Sequence, residues 1–81
     1  MVPEYVVSSN IDCLGYDHGN LFIRFRNGHV YKYPKVAPSV YHALKDSESV
    51  GKSFHALIRG KYEYEQLAVD PFVAPMNTLL A

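Results

Sequence analysis

The chain has 81 residues and a mass of 9.2 kDa, room for one small domain around a single core. Hydrophobic residues make up 48% of it, which excludes a disordered chain. Eight basic and eight acidic side chains cancel, and a single cysteine excludes an internal disulfide.

In chain order, the first predicted element is a strand over Ile11–Tyr16, with Ile11, Cys13 and Gly15 expected on one side. Asp17-His18-Gly19-Asn20 is a turn cluster whose glycine and asparagine tolerate positive φ. Leu21-Phe22-Ile23-Arg24-Phe25 alternates with period two, the mark of a half-buried strand. Asn27-Gly28 breaks it, and Val30-Tyr31-Lys32-Tyr33 resumes extended geometry until Pro34. Three antiparallel strands in a meander follow from this order.

The register of the second hairpin decides two tyrosines. A two-residue turn pairs Arg26 with His29 and sets Tyr31 and Tyr33 beside Phe22, Arg24 and Arg26. A three-residue turn with a glycine bulge pairs Phe25 with His29 and sets them beside Leu21, Ile23 and Phe25. The bulged form is preferred because it gathers five large apolar or aromatic side chains on one face, which then needs a cover.

Two helices supply the cover. Pro38 suits a first helical turn, Val36 and Tyr41 are spaced as a hydrophobic staple, and Val40, Tyr41 and Leu44 form a stripe. Asp46-Ser47-Glu48-Ser49 ends that helix and offers Ser49 as the next N-cap. Val50, Phe54, Leu57 and Ile58 share one face of the second helix, with Arg59 in its last turn and Gly60 just past it. Tyr62, Tyr64 and Leu67 form a last apolar run returning to the core. The predicted class is α+β, a three-stranded antiparallel meander on two short helices. Its core holds Ile11, Leu21, Ile23, Phe25, Tyr31, Leu44, Phe54, Leu57 and Ile58.

Residues 68–81 carry Val69, Phe72, Val73, Met76, Leu79 and Leu80 with Asp70 as the one charge. Such an apolar tail beyond a domain of residues 1–67 is expected to cross the open sheet face or, preferably, to dock on a second copy as a homodimer contact. Met1-Val2-Pro3-Glu4 lacks the basic and apolar regions of a signal peptide. The longest uncharged stretch, Pro71 to Ala81, is eleven residues, too short to span a bilayer. A soluble cytoplasmic protein without a membrane partner is the expectation.

With the order β-β-β-α-α laid out, the chain resembles the KTSC domain, named for the C-terminus of some lysyl-tRNA synthetases. The residues that carry the resemblance are Ser8-Ser9-Asn10-Ile11, Gly15-Tyr16-Asp17, Leu21 to Gly28, and Val30-Tyr31-Lys32-Tyr33 with its Tyr-x-Tyr centre. It continues through Val36, Pro38, Val40-Tyr41, Leu44, Ser49, Gly51-Lys52, Phe54 and Ile58-Arg59-Gly60-Lys61-Tyr62. The family occurs as a stand-alone bacterial or phage-type protein and fused to a synthetase, and the resemblance implies RNA binding as the suggested role. The tail after Leu67 extends beyond the family's core, and the stand-alone form is the expectation.

The residues themselves narrow the chemistry. Cys13 lies in a predicted strand and is expected to be structural. His18, His29, His42 and His55 lack the close pairing of a zinc site, so no metal or other cofactor is expected. Gly51-Lys52-Ser53 mimics the end of a P-loop, but Asp46 stands where that loop needs glycine. No enzyme activity is expected.

Charge is segregated, however. All eight basic residues lie between Arg24 and Lys61, where only Asp46 and Glu48 oppose them, an excess of six. Arg24, Arg26, Lys32, Lys52, Arg59 and Lys61 are therefore the candidate nucleic-acid contacts. Phe22, Tyr31 and Tyr33 are the candidate stacking residues if the two-residue turn forms; with the bulged turn the tyrosines are core and only Phe22 stays outside. The alternative to such a site is a solvated charged face above core tyrosines. A small non-enzymatic module that binds RNA is the leading reading. The other two are an oligomer capturing a nucleotide or similar phosphorylated ligand, and a protein-interaction module using the tail.

Overall fold

The computed structural model describes residues 1–72. Five antiparallel strands lie in meander order: β1 (Glu4–Tyr5), β2 (Ile11–Asp17), β3 (Asn20–Phe25), β4 (Val30–Tyr33) and β5 (Glu65–Leu67). Helices α1 (Pro38–Lys45) and α2 (Val50–Leu57) are inserted between β4 and β5. The α+β class with an antiparallel sheet and two helices stands, but the sheet has five strands, not three. The two additions are edge strands of two and three residues, too short to produce a readable alternation. The expected return of Tyr62–Leu67 is thus realised as β5, where Leu67 faces Val30.

Both hairpin turns follow from local chemistry. At β2–β3, Asp17 faces Asn20 across a two-residue turn. The positive φ values there belong to His18 (49°) and Gly19 (80°), not to the asparagine. At β3–β4, the Phe25 amide donates to the His29 carbonyl and the Gly28 amide to the Phe25 carbonyl, each at 2.9 Å. Gly28 takes φ 92°, which an L side chain rarely adopts. This is the bulged turn. It sets Tyr31 opposite Ile23 and Tyr33 opposite Leu21, on the face beneath the helices.

In β2 the expected alternation fails. A register shift between Ile11 and Cys13 gives Asp12 as the extra residue, so Ile11 pairs with Phe25 while Cys13 pairs with Arg24. Ile11 therefore joins Leu14 and Tyr16 on the helix side, and Cys13 and Gly15 face the other way.

On the helix side, Ile11, Leu14, Leu21 and Ile23 meet Leu44 of α1, Val50 and Phe54 of α2, and Ile58 just after it. Phe25, Tyr31 and Leu57, expected in the core, are half-buried against it, whereas Val36 and Tyr33 are fully inside. Tyr16 stacks on Tyr41 of α1 (4.9 Å) and its hydroxyl donates to the Val36 carbonyl, tying the β4–α1 connection to the sheet. Helix α2 ends at Leu57, so Arg59 lies in the turn that follows rather than in the last helical turn.

The opposite face is not bare. Phe72 returns across it and, with Cys13, Phe22 and Val30, forms a second buried cluster. Gly15 makes room for this return, since a Cβ there would stand 2.4 Å from Met1 Sδ and 2.7 Å from the Phe72 ring. The Met1 amino group donates to the Pro71 carbonyl (3.0 Å), so the N-terminus and the Pro71–Phe72 return close the same face. Within the apolar tail, Phe72 is therefore a core residue of its own chain, while Val69 is exposed. The expected homodimer contact also involves Val73, Met76, Leu79 and Leu80, which lie outside the described residues. Among the described residues, no helix is long and apolar enough to cross a membrane.

Candidate functional site

A cleft of about 490 Å³ opens between the β3–β4 turn and α2. Its floor is aromatic, because the register set by Gly28 points Phe25, Tyr31 and Tyr33 toward α2. Five rings form a closed circuit: Tyr64 to Tyr31 (5.1 Å), Tyr31 to Phe25 (5.4 Å), Phe25 to Phe54 (5.7 Å), Phe54 to Tyr33 (6.1 Å) and Tyr33 to Tyr64 (5.7 Å). Burial pushes the Tyr33 hydroxyl up to about 12, with Tyr64 and Tyr31 adding to the shift and Arg59 opposing it. The hydroxyl is thus a neutral donor at ordinary pH.

The rim is polar and cationic. Arg26 at the β3–β4 turn donates through its amide to the Asn10 carbonyl (2.8 Å) and through Nε to the Ser8 carbonyl (2.6 Å). Those bonds hold the arginine over the β1–β2 connection. Arg59, following α2, lies 3.3 Å from His55 Nδ1, one helical turn earlier. Neither arginine is in an ion pair among the described residues.

The candidate residues divide between the two faces of the sheet. Tyr31, Tyr33, Arg26 and Arg59 come together in the cleft. Lys52 lines an adjoining hollow, and Lys61 is exposed beyond α2, lining neither. Arg24, Lys32 and Phe22 belong to the opposite face. Arg24 donates from Nε to Asp12 Oδ2 (3.0 Å) and from Nη1 to Asp70 Oδ2 (2.8 Å), and its guanidinium lies 5.4 Å from the Phe72 ring centroid. Its hydrogen bond to Asp70, foremost, holds the guanidinium charged even more firmly than usual. Lys32 pairs with Glu65 across β4–β5 (3.7 Å). Phe22 is covered by Phe72, so it is not the exposed stacking ring that the bulged turn alone predicts.

Reading the sequence missed Tyr64, Phe54 and His55 as cleft residues. Tyr64 precedes β5, and the pairing of that strand with β4 is what brings its ring against Tyr31 and Tyr33. The Tyr62-x-Tyr64 spacing was visible, but the edge strand was not.

Reactive chemistry is weakly served. Cys13 is fully buried and its thiol is pushed up, chiefly by burial, with Arg24 partly offsetting and Asp12 and Asp70 adding. Among the described residues, no three His, Cys, Asp or Glu side chains gather as a metal site. His18 lies against Asp17 (2.7 Å) and His29 against Gln66 (3.3 Å), both at the surface.

Comparison with known proteins places this geometry in a family. Lysine–tRNA ligases from Nostoc punctiforme and Trichormus variabilis are 46% and 44% identical to the chain over 48 residues, 59% of its length. The matched stretch is 9% of each ligase. An uncharacterized protein of Stutzerimonas stutzeri is 33% identical over 65 residues, covering 78% of this chain and 90% of its own. The crystal structure of a KTSC domain protein from Yersinia pestis superposes with a TM-score of 0.77 at 30% identity, covering 82% of this chain and 96% of that one. The model of the KTSC domain matches residues 7–62, and the chain belongs to that family.

Proposed function

We propose that this chain is a non-enzymatic module that binds single-stranded nucleic acid, RNA foremost, through the aromatic cleft and its two arginines. One observation carries the reading: a circuit of five rings is edged by guanidinium groups that no carboxylate among the described residues neutralises. A splayed base offers a π-face to half-buried Tyr31 and exposed Tyr64, and its phosphates offer oxygens to Arg26 and Arg59. Relatives named as lysine–tRNA ligases, enzymes that act on an RNA by their name, favour RNA over other anions.

The size of the cleft, about 490 Å³, also favours a second reading in which a mononucleotide is the whole ligand. Binding of labelled hexauridylate and of uridine 5′-monophosphate at two salt concentrations separates the two. A polymer site gives tighter hexamer binding with a salt slope of about −0.7 per phosphate contacted. Arg26→Ala with Arg59→Ala then weakens the hexamer and lowers that slope by about 0.7 for each lost contact. Equal affinity for both probes with a shallow slope supports the mononucleotide. Failure of both probes to bind ends both readings.

A further inference from the structure

The aromatic cleft does not end at α2. A second hollow of about 330 Å³ adjoins it, and the two share Ser9, Asn10, Gly51 and His55. Glu48 and Lys52 line the second hollow and not the cleft. Gly51 is therefore the α2 main chain over which one hollow passes into the other.

Nothing local requires glycine there. Gly51 is in the first turn of α2 and is not among the glycines with positive φ. A Cβ would meet only Ser8 Oγ at 3.5 Å, an ordinary contact. Alanine is the better helix former, so the bare position costs helix propensity without serving backbone or packing. A glycine leaves the main chain open to close approach. We propose that a single strand of nucleic acid crosses from cleft to hollow over Gly51. One base sits among the rings, and the phosphodiester lies against the bare main chain toward Lys52. This rests on the cleft being a nucleic-acid site.

The hollow suits the adjoining nucleotide. Lys52 is exposed and in no ion pair among the described residues, leaving its ammonium for a phosphate. Glu48, four residues earlier, provides an acceptor for a ribose hydroxyl, a group that DNA lacks at its 2′ position.

Gly51→Ala in the full chain tests the crossing with the same two probes. The melting temperature is expected to stay or rise. Hexauridylate affinity falls by about tenfold as the methyl holds the phosphodiester off the main chain, while uridine 5′-monophosphate stays within about twofold. Lys52→Ala provides the second variant: it melts as the parent does and lowers the hexamer salt slope by about 0.7. Hexamer binding by Gly51→Ala equal to the parent's overturns the crossing and leaves the cleft reading intact. Equal loss of both probes also overturns it, since the methyl then obstructs the cleft itself. A parent that binds neither probe removes the cleft reading and the crossing together.

Discussion

Arg24 and Arg26 stand two residues apart on one hairpin, yet they occupy opposite environments. Arg24 points to the outer face, where Asp12 and Asp70 both reach its guanidinium and Phe72 lies over it. Arg26 has passed the end of β3 and is held by two carbonyls, of Ser8 and Asn10, with no carboxylate partner among the described residues. The first is a fastener that closes the C-terminal return onto the sheet. The second keeps its charge available at the edge of an aromatic cleft. A count of basic residues treats them alike; what separates them is which acids the fold brings near. That the overall charge is zero therefore says little about the cleft, because much of the cancellation happens on the far side of the sheet.

The largest effect expected on either face comes from Phe54, whose ring is both core and cleft floor. Phe54→Ala should cost about 3–5 kcal/mol, enough to lower the melting temperature by more than about 12 °C. Melting within a few degrees of the parent would mean that the floor is not continuous with the core. Next comes Arg24→Ala, which strands Asp12 and Asp70 without their cation and loosens Phe72. The site keeps some water contact, with side-chain exposures of 16% for Arg24 and 31% and 28% for the two aspartates. A loss of about 2–3 kcal/mol in urea denaturation is expected, with ligand affinity little changed. If affinity falls while stability holds, the two faces have been assigned the wrong way round.

The same contrast explains which features were legible in the sequence. The strands of the central meander, the helix positions and the bulged turn are local: Asn27-Gly28 and Pro38 speak for themselves within a few residues, and Ser49 stands at the α2 N-cap although its side chain makes no capping bond. The face of Cys13 is not local. Alternation assigned it to Ile11's side, but an extra residue at Asp12 reverses the strand halfway, and nothing in Ile11-Asp12-Cys13 announces a bulge. Phe22 was misjudged for a related reason. Its exposure depended on whether Phe72, fifty residues later, would return over it, and a lone aromatic between Pro71 and Val73 carries no such instruction. Likewise the basic window grouped Arg24 and Lys32 with Arg26 and Arg59. Their acidic partners, Asp12, Asp70 and Glu65, lie in the flanks and arrive only through the sheet.

A smaller effect distinguishes buried from exposed tyrosines. Tyr33 is pushed up to about 12 in the folded protein, against about 10 in the unfolded chain. Below pH 10 the hydroxyl is protonated in both states, and it contributes no pH dependence. Between pH 10 and 12 only the unfolded chain releases the proton, so stability falls by up to about 1.4 kcal/mol per pH unit. Tyr41, also pushed up by burial, with Glu4 and Asp46 adding, contributes in the same direction. Denaturation curves of Tyr33→Phe should therefore decline less steeply over that range than the parent's. An identical decline would place Tyr33 in contact with water.

The smallest effect on stability is expected from the cleft arginines, and it is the one that sharpens the contrast most. Arg26→Ala with Arg59→Ala removes two exposed cations that are in no ion pair among the described residues. The Ser8 carbonyl loses a donor at an exposed position where water can replace it, and His55 loses a neighbour at 3.3 Å. The double variant should therefore unfold within about 0.5 kcal/mol of the parent, as surface substitutions usually do. The cleft lining holds no acid, so relief of repulsion between Arg26 and Arg59 favours a slight gain, screened as salt rises. Urea midpoints at low and high salt check this directly. A loss as large as that of Arg24→Ala would show that the cleft cations fasten the fold just as the outer one does, and the division of labour between the two faces would be gone.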